Sequence, residues 1–82
     1  MSHARVLLME RPGCHLCEVA AQVVEIVCAE VDEDFARIDI TDDPAAADLY
    51  SARVPVVLVD GQEVAQFRVD SQRLRSVLIG ER

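Results

Sequence analysis

Three observations predict an α/β fold with helices packed on a small mixed sheet. Two short apolar runs, Val6 to Met9 and Val56 to Val59, read as strands buried on both faces. From Cys14 to about Glu30 apolar residues recur at three- and four-residue intervals, the period of a helix docked along one side. Turn and cap residues punctuate the chain so that the order becomes β-α-β-α-β-β-α.

The first strand is expected over Arg5 to Met9, central in its sheet because its apolar run does not alternate. The helix that follows is expected to bury Leu16, Val19, Ala20, Val23 and Val27, with Glu18, Gln22, Glu25 and Ala29 opposite. Phe35 to Ile40 alternates, which suits a strand with one wetter side or an edge. Strand, helix and strand at this spacing form a βαβ unit with a right-handed crossover. Asp43-Pro44 reads as an N-cap and first helical residue of a short helix through Ala52, with Leu49 and Tyr50 as its core contacts. Asp60-Gly61 suits a type I′ hairpin turn between the run at Val56 and a returning strand from Gln62 to Phe67. Asp70 caps a last helix with Leu74, Val77 and Leu78 on one face and Gly80 as its stop.

The chain of 82 residues suits one domain, 1-82, with a single modest core. All eight basic residues are arginine, against 15 acidic ones, and the formal net charge of -7 opposes nucleic acid and anionic membrane surfaces as partners. The first residues lack a basic segment followed by a long apolar run, and no stretch approaches the roughly 18 apolar residues of a membrane span. A cytoplasmic monomer is the expectation. Three cysteines in a reducing compartment do not make a structural disulfide framework, which leaves catalytic or metal use of a pair.

That pair is Cys14-His15-Leu16-Cys17, placed where the first strand hands over to the first helix. The first amides of a helix have no intrahelical partner and carry the positive end of the helix dipole, so a sulfur there is stabilised as thiolate. A second sulfur three residues on shares the face of that turn, within reach for a disulfide. Pro12-Gly13 supplies the turn that swings Cys14 to the N-cap. Cys14 is therefore the candidate nucleophile and Cys17 the resolving thiol, in a cycle through a mixed disulfide. His15 either assists as a neighbouring imidazolium or is a solvated helix-start residue. One pKa unit of thiolate stabilisation is about 1.36 kcal/mol, close to 30 mV in a two-electron couple, so residues 15 and 16 can tune the pair in either direction. Cys28 lies about 16 Å further up the helix and reads as a small apolar filler. The competing reading of Cys14 and Cys17 is a binding module holding zinc or an iron-sulfur cluster, with His3 and His15 the only histidines in the chain.

The element order, Cys14-His15-Leu16-Cys17 and a Val54-Pro55 opening the third strand together resemble the thioredoxin fold in its short, glutaredoxin-like form, over nearly the whole chain. The resemblance implies a thiol-disulfide oxidoreductase that needs no cofactor and acts on disulfide-containing protein substrates. It also implies a cis Val54-Pro55 bond beside the cysteines, where the Val54 backbone pairs with extended substrate. The plainer reading is a trans proline starting a strand. Related proteins often carry a cation at the position of Arg11, to meet an anionic substrate group, although a solvated arginine reads the same way. Typical glutaredoxins hold glutathione with a Gly-Gly where Ala65-Gln66 stands here. Phe67-Arg68-Val69-Asp70 is instead similar to a segment of the glutaredoxin-like electron donors of ribonucleotide reductase. Of the two electron donors implied, thioredoxin reductase is favoured over glutathione.

Overall fold

The computed structural model describes residues 4–80. In chain order the elements are β1 (Val6–Glu10), α1 (His15–Glu30), β2 (Phe35–Asp39), a 3-10 turn (Ile40–Asp42), α2 (Pro44–Tyr50), β3 (Val56–Val59), β4 (Gln62–Gln66) and α3 (Ser71–Leu78). The sheet order is β2-β1-β3-β4, with β1 parallel to β2 and antiparallel to β3, and β3 antiparallel to β4. The mixed sheet and element order agree with the sequence reading, and β1 and β3 are its central strands.

Alternation along the strands splits the apolar runs between two layers. Val6 and Leu8 pair with Val59 and Val57, and all four pack with Ala20, Val24 and Val27 of α1 and Leu74 and Leu78 of α3. Leu7 and Met9 pair with Leu58 and Val56 on the other face, in a second cluster with Ile40, Ala46 and Tyr50. Helices thus cover both faces, which is why neither strand shows a polar alternate residue.

The buried stripe of α1 is Cys17, Ala20, Ala21, Val24, Val27 and Cys28, turned by about one residue from the expected one. Leu16 and Val19 are exposed and Val23 is half-buried. Leu16-to-Val27 and Cys17-to-Cys28 patterns have the same period, and the second wins because Cys17 points into the core at the start of the helix. Its seam of cysteine and alanine also lets the helix lie close to the sheet.

Boundary corrections have local causes. Ile40 leaves β2 because Asp39 accepts hydrogen bonds from Thr41 N–H and Oγ, which turns the chain. In α2 the inward positions are Ala46 and Tyr50, one turn apart, whereas Leu49 is exposed. The returning strand stops at Gln66, because Phe67 takes a positive φ of 67°.

The caps are as the residue types suggest. Asp43 and Asp70 accept from the first amides of α2 and α3, and Pro44 opens α2. Asp60 and Gly61 both have positive φ, as a type I′ turn requires. Arg5 binds the Asp60 carboxylate, Glu33 and the carbonyl of Leu78, tying the β1 start to three other segments.

The Arg5 guanidinium holds the Asp60 carboxyl below its usual pKa. Such a depressed group adds stability above its unfolded pKa of about 3.9 and loses it as pH falls through the lower folded value. Asp60→Asn keeps a residue tolerant of positive φ and removes only the charge. Urea denaturation should show the variant slightly less stable than the parent at neutral pH, with the difference vanishing in acid and shrinking in high salt.

Candidate active site

The loop from Arg11 to Gly13 delivers Cys14 to the N-cap of α1, with Gly13 at φ 73°, a conformation that favours glycine. The Cys14 sulfur accepts a hydrogen bond from the Cys17 amide at 3.1 Å, so it occupies the place of a capping oxygen. Cys14 and Cys17 are at disulfide distance, with Cα atoms 5.2 Å apart. The two sulfurs differ in surroundings. Cys17 is fully buried beside Met9, Val54 and Val56, whereas Cys14 is half-buried at the edge of that cluster.

Val54 and Pro55 arrive on the segment between α2 and β3, both buried, joined by a cis peptide bond. Val54 shares the apolar cluster of the two cysteines. Arg53 fixes this segment from outside: it binds Glu63, Gln66 and the carbonyl of Leu49, and lies over the Tyr50 ring. Pro55 in turn accepts the Phe67 amide at 2.8 Å, which brings the segment after β4 alongside.

Sequence reasoning missed the ion clamp behind the loop. Arg37 of β2 binds Glu10 at the end of β1 and Glu18 in the first turn of α1, so one guanidinium bridges the two ends of the turn that carries Cys14. Hydrogen bonding to Glu10 raises the Arg37 pKa further, so the guanidinium of the clamp stays charged. Parallel pairing of β1 with β2 sets Arg37 opposite Leu8, two residues from Glu10 on the same face of the sheet, and that register brings the charges together.

The remaining candidates are more peripheral. Arg11 is exposed and lines a shallow cleft with Glu10, Glu18, Arg37 and Asp39 on the β2 side of the loop. His15 is the exposed first residue of α1, and His3 lies outside the described residues. Among the described residues no three His, Cys, Asp or Glu side chains converge as a metal site. No helix among them is long and apolar enough to cross a membrane.

A helical N-cap sulfur, a buried partner three residues on and a buried Val-Pro in the same cluster, on a four-stranded mixed sheet, define a thioredoxin-fold protein of glutaredoxin-like form. The chain belongs to the family described as Glutaredoxin-like domain (DUF836), which it matches over residues 5–79. An uncharacterized protein of Mycobacterium tuberculosis is 35% identical over 81 residues, covering 93% of this chain and 84% of the relative. The X-ray structure of a structural-genomics target protein from X. campestris is 33% identical, with a TM-score of 0.75 over 92% of this chain and 96% of that one. A thioredoxin variant from Halobacterium salinarum is 27% identical, with a TM-score of 0.63 over 95% of this chain and 75% of the other. The family and a cysteine pair at disulfide distance fit a redox function.

Cys28 stands apart from this site, buried in the α1 layer of the core. Burial pushes its thiol pKa up, and the charges of Glu33 and Asp34 add to the shift. Iodoacetamide at neutral pH should therefore leave Cys28 unlabelled in the folded, reduced protein and label it once guanidinium unfolds the chain. Mass spectrometry of the tryptic peptides reads the difference.

Proposed function

We infer that the protein is a thiol-disulfide oxidoreductase working through Cys14 and Cys17. The observation that carries this reading is the capping of α1 by the Cys14 sulfur, with Cys17 buried directly beneath it. A thiolate at an N-cap gains from the amide of Cys17 and from the helix dipole, while a thiolate buried among apolar groups loses solvation. Cys14 is thus the sulfur that attacks, and Cys17 the one that waits.

The cycle begins with the Cys14 thiolate attacking a substrate disulfide. One substrate sulfur leaves as a thiol and the other is held as a mixed disulfide on Cys14. Cys17, losing its proton to solvent, then attacks the Cys14 sulfur and releases the second substrate thiol. Two electrons pass to the substrate, and the pair is left as the disulfide. Val54 offers main-chain groups that make no hydrogen bond among the described residues, placed to pair with an extended segment. Arg37 holds the turn against β2 throughout, and its charge offsets those of Glu10 and Glu18 near the thiolate.

Reduction of the pair is assigned to a protein dithiol donor such as thioredoxin reductase in preference to glutathione, in a reducing cytoplasm. The support is local: Ala65 and Gln66 continue β4 opposite Val57 and Val56, and they carry Cβ atoms where a glycine pair would let a small peptide approach the backbone.

Cys14→Ser should abolish disulfide reduction. Cys17→Ser should retain the first attack and accumulate mixed disulfides, visible as a mass increase that dithiothreitol reverses. Faster alkylation of Cys17 than of Cys14 at low pH would overturn the assignment of roles. For the donor, oxidised protein should be reduced rapidly and saturably by thioredoxin reductase with NADPH, and slowly by glutathione at cellular concentration. The opposite ranking reverses the preference.

A further inference from the structure

A cleft of about 190 Å³ runs along the first turns of α1, walled by Leu16, Val19 and Val23 of α1 and by Phe67, Arg68 and Val69 after β4. Leu16 sits between the two cysteines in sequence, so the cleft reaches the redox turn through that one residue. Leu16, Val19 and Phe67 are 39%, 45% and 43% exposed. Single exposed apolar residues are ordinary, whereas three that wall one cleft offer an apolar side chain a place to be buried.

Phe67 adds a second observation. It is a bulky residue at positive φ, held there by its own amide on Pro55 O at 2.8 Å and by the Arg68 amide closing onto Gln66 O at 2.7 Å. That backbone is unfavourable for a side chain of this size, and such residues gather at ligand-binding sites. The strained turn aims the ring at the cleft and not at the core, so burial within this chain does not offset the strain.

Charge supplies the third. Arg5, Arg37, Arg53 and Arg75 all bind carboxylates, and Arg73 binds a main-chain carbonyl. The Arg68 side chain has no hydrogen-bond or ion-pair partner among the described residues, in a chain of net charge -7; Arg11 shares that state but lines a different cleft, so Arg68 is the one at this cleft.

We propose that this cleft selects the substrate by taking an apolar side chain next to the disulfide of an extended protein segment, with an adjoining acidic side chain meeting Arg68. The proposal rests on the thiol-disulfide reading. The volume favours a side chain over a whole small molecule, since small-molecule pockets generally run from about 300 Å³ upward. An unpartnered cation on an acidic surface favours an anionic neighbour locally and discriminates against a cationic one.

The test uses the reduced protein in single turnover, so that no electron donor is needed. Its substrates are four short peptides, each with one cysteine held as a mixed disulfide with 5-thio-2-nitrobenzoate. The residue before the cysteine is Leu or Ser and the one after it Glu or Lys. The Cys14 thiolate displaces the coloured nitrothiobenzoate and forms a disulfide to the peptide, and Cys17 then releases the peptide thiol and closes the Cys14–Cys17 disulfide. Second-order rate constants for colour release should favour Leu over Ser by about tenfold. Glu should be favoured over Lys by about threefold at low salt.

Arg68→Glu should invert the charge preference. Phe67→Asn, which suits positive φ, should flatten the apolar preference. Both are read as ratios between peptides, which loss of folded protein does not move. Equal rates for all four peptides, or an unchanged charge preference in Arg68→Glu, overturns the cleft proposal. Wild-type protein that reduces neither these peptides nor 2-hydroxyethyl disulfide overturns the thiol-disulfide reading as well.

Discussion

The constraint on which the structure depends is the burial of β1 and β3 on both faces. Val6 and Leu8 need cover on one side, Leu7 and Met9 on the other, and their partners in β3 repeat the demand. A chain this short meets it with α1 and α3 on one face of the sheet and α2 on the other. The end of β1 then has one exit, a tight turn into α1, and that turn is where the cysteines sit. The site is in this sense the place where a central strand meets the longest helix.

Polar contacts hold that junction in register. Arg37 reaches across from the edge strand to both ends of the turn, Arg53 fixes the segment that brings Val54 and Pro55, and Arg5 ties the opposite end of β1. All three are arginines with several donors used at once, a job for a planar fork more than for a point charge. Each pair is partly exposed and contributes little alone, so their value lies in fixing which segments are neighbours.

Much of this was legible in the chain. Continuous apolar runs identified the two central strands, and Asp43, Asp60, Gly61 and Asp70 gave the caps and the hairpin turn because their chemistry acts locally. The cysteine pair was legible for the same reason, since its spacing and the preceding Pro-Gly are a few residues apart. What sequence left ambiguous depended on distant neighbours. Two stripes of equal period run along α1, and only the docking of Cys17 against Met9, Val54 and Val56 decides between them. Leu16 and Val19, expected inside, thereby become the wall of a surface cleft. Arg37, Glu10 and Glu18 are separated widely along the chain and give no joint signal until the parallel β1–β2 register brings them together.

The seam of small side chains on α1 couples core volume to chemistry. Cys17, Ala20, Ala21 and Cys28 let the helix lie close to β1 and β3, and Cys14 caps that same rigid rod. Any enlargement along the seam must lift or tilt the rod, and its N-terminus would move against the fixed Val54–Pro55 segment. A position such as Ala21, a full turn beyond the pair, is therefore a handle on the separation between sulfur and substrate track. The interior of this protein acts as a spacer for its reactive edge.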